Sequence, residues 1–343
     1  MILPPTLVVA APLRGPAGAR VAPLLAAIER LCPVRFLVAP SEADLAPGPR
    51  VTMAEWLDDR SMDRVPHLHI LVDDEASALP FRAAMCRPGV TVLEDPGLAR
   101  LQQAITLDIG QPAAWLRLLA QHHGAAARRL GRAQLGGLFA PAQRQRMPML
   151  DGIAEAASLL VVRSRHALGF LPPGARAVAL PPPFADPAAM PAAASGRRLL
   201  LPLRDPMSCH ALAPLQAAAE AAGAMLLPWI CDLAPMPAAD AVLALRLPFG
   251  ATPLHGMMAA MTHGLPVLAW TEDPAAEWPE PAVSRIGFGA APEALAAAFT
   301  TLLDQAAARG EAARRLAASH GADAAALALL HLVPGCRVAA PAP

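Results

Sequence analysis

The segment from Val242 to Trp270 constrains the fold most, because its pattern is that of a strand, a loop, a helix and a second strand. Val242–Leu247 and Val267–Trp270 are short apolar runs of strand length. Between them, Leu254–Thr262 carries methionines at helical spacing, and Gly264 supplies a residue that can end the helix in a left-handed conformation. A loop that enters a helix at the end of a parallel strand is a natural anion site, because free N–H groups and the helix dipole both point at the ligand.

The first part of the chain repeats this alternation. Thr6–Ala11 and Val34–Val38 have the pattern of buried strands, and Ala19–Leu31 between them has apolar residues at helical spacing. The Gly/Pro-rich stretch 12–18 is predicted to be a loop. This βαβ opening is typical of a parallel sheet covered by helices, so we expect an α/β fold.

Acidic residues follow two further predicted strands: Asp73 and Asp74 after His67–Val72, and Glu94 and Asp95 after Val90–Leu93. Ligands of open α/β sheets bind beyond the carboxyl ends of the strands. Clustered carboxylates at that edge would provide a general base or bind a cation. The alternative is that they cap the helices that follow, as the position of Asp95 before Pro96 suggests.

Composition limits the function classes. The 343 residues are enough for two domains with separate cores. The 28 basic and 28 acidic residues cancel, which argues against a nucleic-acid partner. The chain lacks an apolar run of the roughly 18–20 residues that span a bilayer and a basic signal-peptide start, and its five scattered cysteines suit reduced thiols. We therefore expect a cytoplasmic protein without a transmembrane segment.

The segment around the predicted anion site resembles a known family. Gly264, Pro266, Val267 and Ala269 match the end of the pattern A-x-G-x-P-V-[IV]-A, and Gly250 lies near the start of the preceding E-G-x-G motif. This is the nucleotide-sugar site of GT-B glycosyltransferases, especially bacterial family 4 enzymes. The two glutamates of the family motif fall at Ala251 and Ala259, so both carboxylates are replaced by alanine.

The first part of the chain resembles the same family. Pro88-Gly89-Val90, Val92-Leu93 and Asp95 match the family's P-G-V-V-V-L-H-D, and Ser164, Ala167 and Pro181 match its last strands before the linker. Ser77 and Glu94 stand where the family has histidines. The framework of the motifs is retained here, whereas part of their polar chemistry differs.

The resemblance implies two Rossmann-like domains that face a cleft, as in the GT-B type. Residues 1–183 would form the acceptor-side domain and 184–197, rich in proline and alanine, the linker. Residues 198–343 would form the nucleotide-sugar domain with closing helices at Glu293–Leu303 and Glu311–Leu332. In such proteins the last helix crosses back to the first domain.

The resemblance also implies roles for individual residues. Arg204, after the first strand of the second domain, would neutralise the leaving diphosphate, although it is open whether it pairs instead with Asp205 or a helix end. The predicted catalytic residues are Arg204, Asp95 and Glu94. The predicted donor-binding residues are Gly250, Thr252, His255, Gly256 and Glu272. Gly15, Asp73 and Ser77 are predicted on the acceptor side, although Gly15 serves equally well to turn the chain.

The function that follows is that of a metal-independent glycosyltransferase. It would move a sugar from a nucleotide-diphosphate sugar, its substrate, to a glycan, lipid-linked or protein acceptor, with no cofactor. The replaced glutamates and histidines favour an alternative, a catalytically silent relative that binds a partner or a glycan. A third reading is another sugar-nucleotide enzyme such as an epimerase, since the fold alone does not decide the activity.

Overall fold

The computed structural model describes residues 7–138, 147–184, 196–203, 212–231, 235–244 and 254–336. Over these residues the chain forms two parallel sheets with interleaved helices, which is the predicted α/β class. The chain separates into two compact units. The first comprises Met1–Pro183 together with Ala322–Pro343, and the second comprises Phe184–Gly321.

The first unit contains a sheet whose described strands have the order β3-β2-β1-β4-β5-β6-β7, all parallel. Its strands are β1 (Leu7–Ala10), β2 (Val34–Val38), β3 (Arg50–Thr52), β4 (His67–Leu71), β5 (Val90–Leu93), β6 (Leu159–Val162) and β7 (Ala177–Ala179). The central strands β1, β4 and β5 are buried along their whole length, as expected for strands covered on both faces.

The sheet of the second unit has the order β12-β11-β10-β8-β9 over the described residues, again all parallel. Its strands are β8 (Arg198–Leu203), β9 (Met225–Ile230), β10 (Ala241–Ala244), β11 (Val267–Trp270) and β12 (Val283–Ile286). The order reverses at β8, because β9 continues on one side of it and β10 to β12 on the other. Such a switch point is where ligands of open α/β sheets bind.

The helices alternate with these strands along the chain. They are α1 (Gly15–Leu31), α2 (Met53–Asp58), α3 (Ala78–Cys86), α4 (Ala99–Ala104), α5 (Pro112–Leu135), α6 (Asp151–Ala156), α7 (Arg165–Leu168), α8 (Ala213–Ala221), α9 (Leu254–Thr262), α10 (Pro292–Asp304), α11 (Ala306–Ser319) and α12 (Ala322–His331). In the second unit, α8 and α10 pack on one face of the sheet, while α9 and α11 pack on the other.

Helix α1 begins four residues before the predicted start. Gly15 has φ +62° and opens the helix, with a proline in its first turn. Gly18, which was assigned to a loop, lies inside the helix. A Cβ at Gly18 would overlap the backbone of Leu13, so only glycine lets the preceding loop fold back onto the first turn. The prediction of a loop over 12–18 was therefore wrong for residues 15–18, because Gly15 starts the helix in a left-handed conformation and Gly18 allows close packing.

The end of the chain returns to the first unit. The predicted single helix Glu311–Leu332 is two helices, because α11 ends at Ser319 and α12 begins at Ala322. Leu329 and Leu330 of α12 are buried in the same core as Leu24 and Ile28 of α1. The resemblance implies such a return of the last helix, although the predicted domain boundaries grouped residues 322–343 with 198–321. The physical reason is that α12 covers the apolar face of α1.

Over the described ranges, none of the helices combines the length and apolar character that crossing a membrane requires.

Candidate functional site

The strand-loop-helix segment of the second unit has the predicted form where the structure describes it. α9 covers Leu254–Thr262 and β11 covers Val267–Trp270, both with the predicted bounds. β10 lies between β8 and β11, with all three strands parallel. The chain therefore leaves the central part of the sheet at the carboxyl edge of β10, and α9 is the helix that comes before it returns as β11.

Gly256, in the first turn of α9, lies directly against this edge. A Cβ at this position would overlap the Sγ of Cys231 and lie 3.2 Å from the Cβ of Pro202. Pro202 is near the carboxyl end of β8, and Cys231 follows β9. The absence of a side chain at Gly256 thus allows the first turn of α9 to approach the switch point of the sheet.

Two other predicted donor-binding residues lie at the same edge of the second sheet. His255 is half-buried in the first turn of α9, and Glu272 is exposed in the loop after β11. The structure thus brings His255, Gly256 and Glu272 to one edge of the second unit. Arg204, Gly250 and Thr252 lie outside the described residues, and their roles remain predictions.

The remainder of α9 belongs to the core. Met257, Met258 and Met261 are buried, as their helical spacing predicts. Ala259, where the resembling family has a glutamate, is half-buried and packs against that core. A side chain here therefore has an apolar neighbourhood on one side.

Helix α9 ends in a tight turn. Gly264 has φ +78°, its N–H donates to the carbonyl of Met261 at 2.9 Å, and the N–H of Leu265 donates to Ala260 at 3.1 Å. His263 follows the end of this helix, and burial lowers the pKa of its imidazole.

The predicted acidic cluster of the first unit lies at the carboxyl edge of its sheet, and arginines compensate its charge. Arg20 of α1 donates to the Asp95 carboxylate at 2.7 Å, and the backbone N–H of Asp73 donates to the same Oδ2 at 2.8 Å. Both side chains of this ion pair are largely buried. Asp95 thus joins the segments that follow β4 and β5 to helix α1.

Asp73 and Asp74 cap helices, which was the alternative to a ligand role. The Oδ1 of Asp73 accepts hydrogen bonds from the backbone N–H groups of Arg100 and Leu101 at 2.7 and 3.0 Å. Asp74 accepts from the N–H of Ala76 at 3.0 Å. Asp74 thus satisfies a donor of the helical turn that follows it, whereas Asp73 satisfies donors in the first turn of α4, which begins only after β5. Asp95, whose position suggested a cap, binds Arg20.

Glu94 forms a buried ion pair with Arg163, the residue after β6. The Nε of Arg163 donates to the Oε1 of Glu94 at 3.0 Å, and its Nη2 donates to the same oxygen. The two side chains are 4% and 8% exposed, so the pair is shielded from solvent. A buried ion pair that loses one partner typically costs about 3–5 kcal/mol, so we expect the loss of Arg163 to destabilise the first unit.

The other two residues predicted on the acceptor side have local structural contacts. The hydroxyl of Ser77 is fully buried and accepts from the N–H of Val72 at 2.9 Å, which closes the turn after β4. Gly15 opens α1 near the carboxyl end of β1. Asp73, Ser77 and Gly15 are thus all at the carboxyl edge of the first sheet.

Sequence reasoning missed Arg20 and Arg163. Arg163 directly follows β6, so its position at the sheet edge was readable from the apolar run of that strand. Its partner was not, because Glu94 is 69 residues away. Arg20 has no local signal, since it lies within an amphipathic helix. In the described ranges no group of three or more His, Cys, Asp or Glu side chains could hold a metal ion.

Comparison with known proteins supports the fold. No protein-family model matches the chain, and no curated protein matches it. Among solved structures, it is similar to WaaG, a glycosyltransferase involved in lipopolysaccharide biosynthesis, with a TM-score of 0.51, 14% identity, and coverage of 96% of this chain and 100% of that one. It is also similar to sucrose-phosphate synthase from Thermosynechococcus elongatus, with a TM-score of 0.52, 12% identity, and coverage of 95% and 97%.

A third similar structure is HepE from Anabaena in complex with UDP and glucose, with a TM-score of 0.52, 12% identity, and coverage of 95% of this chain and 99% of that one. These proteins are GT-B glycosyltransferases, and the similarity extends over nearly the whole of each chain. At this level of identity the likeness concerns the fold. The finer resemblance to bacterial family 4 remains a prediction.

Proposed function

We propose that this protein is a glycosyltransferase that uses a nucleotide-diphosphate sugar as donor. The observation that carries the proposal is the approach of the first turn of α9 to the switch point of the second sheet, which Gly256 permits. Free N–H groups at a helix start favour the negative charge of a diphosphate. HepE, which shares the fold, was solved with UDP and glucose.

The chemistry requires stabilisation of the leaving group. The bond between the sugar C1 and the diphosphate oxygen breaks, a bond from C1 to an acceptor oxygen forms, and negative charge develops on the nucleoside diphosphate. The start of α9 and the guanidinium of Arg204 would stabilise that charge without a metal ion. His255 would donate to a phosphate, and Glu272 would accept from a sugar hydroxyl. Gly250 and Thr252 would complete the donor loop.

The contacts of Glu94 and Asp95 support a positioning role better than the predicted catalytic one. Each carboxylate is already compensated by an arginine, Arg163 or Arg20. A compensated carboxylate is a poor general base, because protonating it would break the ion pair. We propose that both residues hold the edge at which a glycan, lipid-linked or protein acceptor binds.

A second candidate is a catalytically silent relative that binds a partner or a glycan. Ala259 favours it, because an alanine side chain packed against the methionine core accepts no hydrogen bond from a donor hydroxyl. The two candidates differ in one measurable respect. A transferase breaks the sugar-phosphate bond, whereas a silent relative binds without releasing the nucleoside diphosphate.

Calorimetric titration with UDP, GDP and ADP, together with thermal unfolding, tests the proposal. We expect one nucleotide to bind and to stabilise the fold by about 2.7 kcal/mol at 100 times its dissociation constant. Inorganic phosphate is the control for nonspecific anion binding. If no nucleotide produces heat or a thermal shift, the transferase proposal fails. Binding without release of nucleoside diphosphate from any sugar nucleotide, with acceptor mixtures present, would favour the silent relative.

A further inference from the structure

Two cysteines from opposite ends of the chain meet in the first unit. The Sγ atoms of Cys32 and Cys336 are 3.3 Å apart, although 304 positions separate them in the sequence. Cys32 caps the end of α1 and is 1% exposed, while Cys336 follows α12 and is half-buried. Neither is in a disulfide.

The elements that carry these cysteines are held by packing on both sides. Leu329, Leu330 and Val333 share the core of α1 and β2, and Cys336 packs against the same core. The N–H of Cys336 donates to the carbonyl of Val333 at 3.2 Å. The proximity of the two thiols thus results from the docking of α12 on α1.

We infer that Cys32 and Cys336 are a modification site, at which a peroxide or a small-molecule disulfide converts the two thiols into an intramolecular disulfide. The sulfur atoms must approach by about 1.3 Å to reach the usual S–S bond length near 2.05 Å. The segment after α12, which carries Cys336, supplies this movement more readily than the buried end of α1.

With hydrogen peroxide the reaction proceeds in two balanced steps. The thiolate of Cys336, the more exposed residue, attacks one peroxide oxygen, the O–O bond breaks, and a sulfenic acid and one water form after protonation. The thiolate of Cys32 then attacks the sulfenic sulfur and a second water leaves. Two thiols are oxidised and one peroxide is reduced. With a small disulfide, two successive exchanges release two small-molecule thiols instead.

The surroundings of the pair set its pH dependence. The hydrogen bond with Cys32 raises the pKa of the Cys336 thiol well above its usual range, and burial raises it further. Because the thiolate is the nucleophile, oxidation is slow near neutral pH and accelerates as the pH rises.

The disulfide would enclose the whole second unit in a covalent loop, because residues 184–321 lie between the two cysteines in the chain. The disulfide would also stabilise the contact between α12 and α1, which otherwise depends on packing. Since a cross-link reduces the conformational freedom of the unfolded chain, we expect the unfolding midpoint of the oxidised protein to rise by roughly 5–10 °C.

Peptide mapping of the oxidised full-length protein tests the inference. The folded protein is treated with hydrogen peroxide or oxidised glutathione at pH 8.5, alkylated and digested with trypsin without reduction. Cys32 falls in the peptide 31–35 and Cys336 in 316–337, separate from the other cysteines. We expect these two peptides joined, in monomeric protein, and separated again by a thiol reductant.

Two variants test which cysteines form the disulfide. Cys336→Ser removes the linked peptide and the thermal shift, whereas the matched control Cys86→Ser, at an exposed cysteine, retains both. The inference is overturned if exposed Cys86 reacts while peptides 31–35 and 316–337 stay separate, or if they join only in covalent dimers or in urea. The map of the parent protein decides these outcomes even if a variant folds poorly.

Discussion

At the scale of single residues, the described groups at the carboxyl edges of the two sheets differ. In the first unit, the carboxylates of Asp95 and Glu94 are bound by Arg20 and Arg163. In the second unit, Glu272 is exposed and half-buried His255 lies in the first turn of α9. A sheet edge whose charged side chains are paired with one another is suited to stabilising the local structure. A sheet edge that presents backbone N–H groups is suited to binding an anion. The residues that decide ligand binding are therefore expected in the second unit.

Arg204→Ala tests the proposed diphosphate contact. We expect the variant to lose about 1.5–3 kcal/mol of nucleoside diphosphate binding, the value of a hydrogen bond to a charged group, as measured by calorimetry. Arg197→Ala is the matched control, because Arg197 is part-exposed and pairs with Asp304. If both variants bind as the parent does, Arg204 has a structural role and the donor site is elsewhere.

Ala259→Glu tests whether the donor pocket of the resembling family persists. A donor hydroxyl that is buried without a partner costs roughly 1–3 kcal/mol, and a carboxylate at position 259 would remove that cost. We expect tighter binding of the sugar nucleotide, measured by titration, with circular dichroism as the control for folding. Should Ala259→Glu bind no better while His255→Ala abolishes binding, the pocket is built around His255. If neither variant changes binding and the parent protein binds no sugar nucleotide, the result favours the catalytically silent relative.

At the scale of elements, the placement of α9 depends on a contact that permits no side chain. Its first turn lies against Pro202 and Cys231 at Gly256, and its last turn ends at Gly264 with φ +78°. A Cβ at Gly310 of α11 would overlap the carbonyl oxygen of Gly264, so the far end of α9 is also closely packed. Both ends of the helix are thus fixed by backbone approach, which orients the N–H groups of its first turn.

Gly256→Ala tests this placement. We expect the overlap with Cys231 to shift the first turn of α9, which lowers stability by about 1–3 kcal/mol and weakens nucleotide binding. The double variant Gly256→Ala with Cys231→Ala should recover most of the stability. Gly152→Ala is the control, because its Cβ would meet its nearest neighbour at 3.9 Å. If Gly256→Ala and Gly152→Ala lower the free energy of unfolding in urea by the same amount, the close approach at Gly256 is contradicted.

At the scale of the whole molecule, the chain divides into two units, and the first of them is discontinuous. Its core needs α12, which the chain supplies only after the second unit is complete. The first unit also buries two histidines on β4. Burial lowers the pKa of His67 to about 4, helped by Arg87, and burial lowers the pKa of His69 to about 4 as well. Global stability therefore depends on pH.

The sign of this dependence follows from proton binding. Below pH 6.5 the unfolded chain protonates both histidines, whereas the folded protein leaves them neutral until about pH 4. The stabilisation is complete above pH 6.5 and declines between pH 6.5 and 4, by up to about 1.4 kcal/mol per pH unit for each histidine. Urea unfolding at pH 7.5, 6 and 5 measures it.

His69→Gln, which keeps a donor for the carbonyl of Arg87, should remove one histidine's share of that slope. His331→Gln, at an exposed position near the end of the chain, should leave the slope as it is in the parent. An unchanged slope in His69→Gln would mean that other groups cause the acid sensitivity.

The sequence by itself determined the α/β class and the order of most elements. Helical spacing of the methionines and the glycine stop predicted α9, and the short apolar runs predicted β1, β4, β5 and β11, because these signals are local. It also placed the acidic pairs at strand ends, since strand ends in a parallel sheet share one edge. Gly15 and Gly18 were predicted to lie in a loop, because a glycine that starts a helix or packs closely within it has the same local pattern as one in a loop.

Only the tertiary structure decided which groups meet. The pairs Arg20–Asp95, Glu94–Arg163 and Cys32–Cys336 are 69 to 304 positions apart, and none has a local signal. Their proximity follows from strand order and from the docking of α12 on α1. These arrangements arise from the burial of apolar faces. The sequence shows which faces are apolar, but not which of them pack against one another. The partners of each carboxylate and of each thiol follow from that matching.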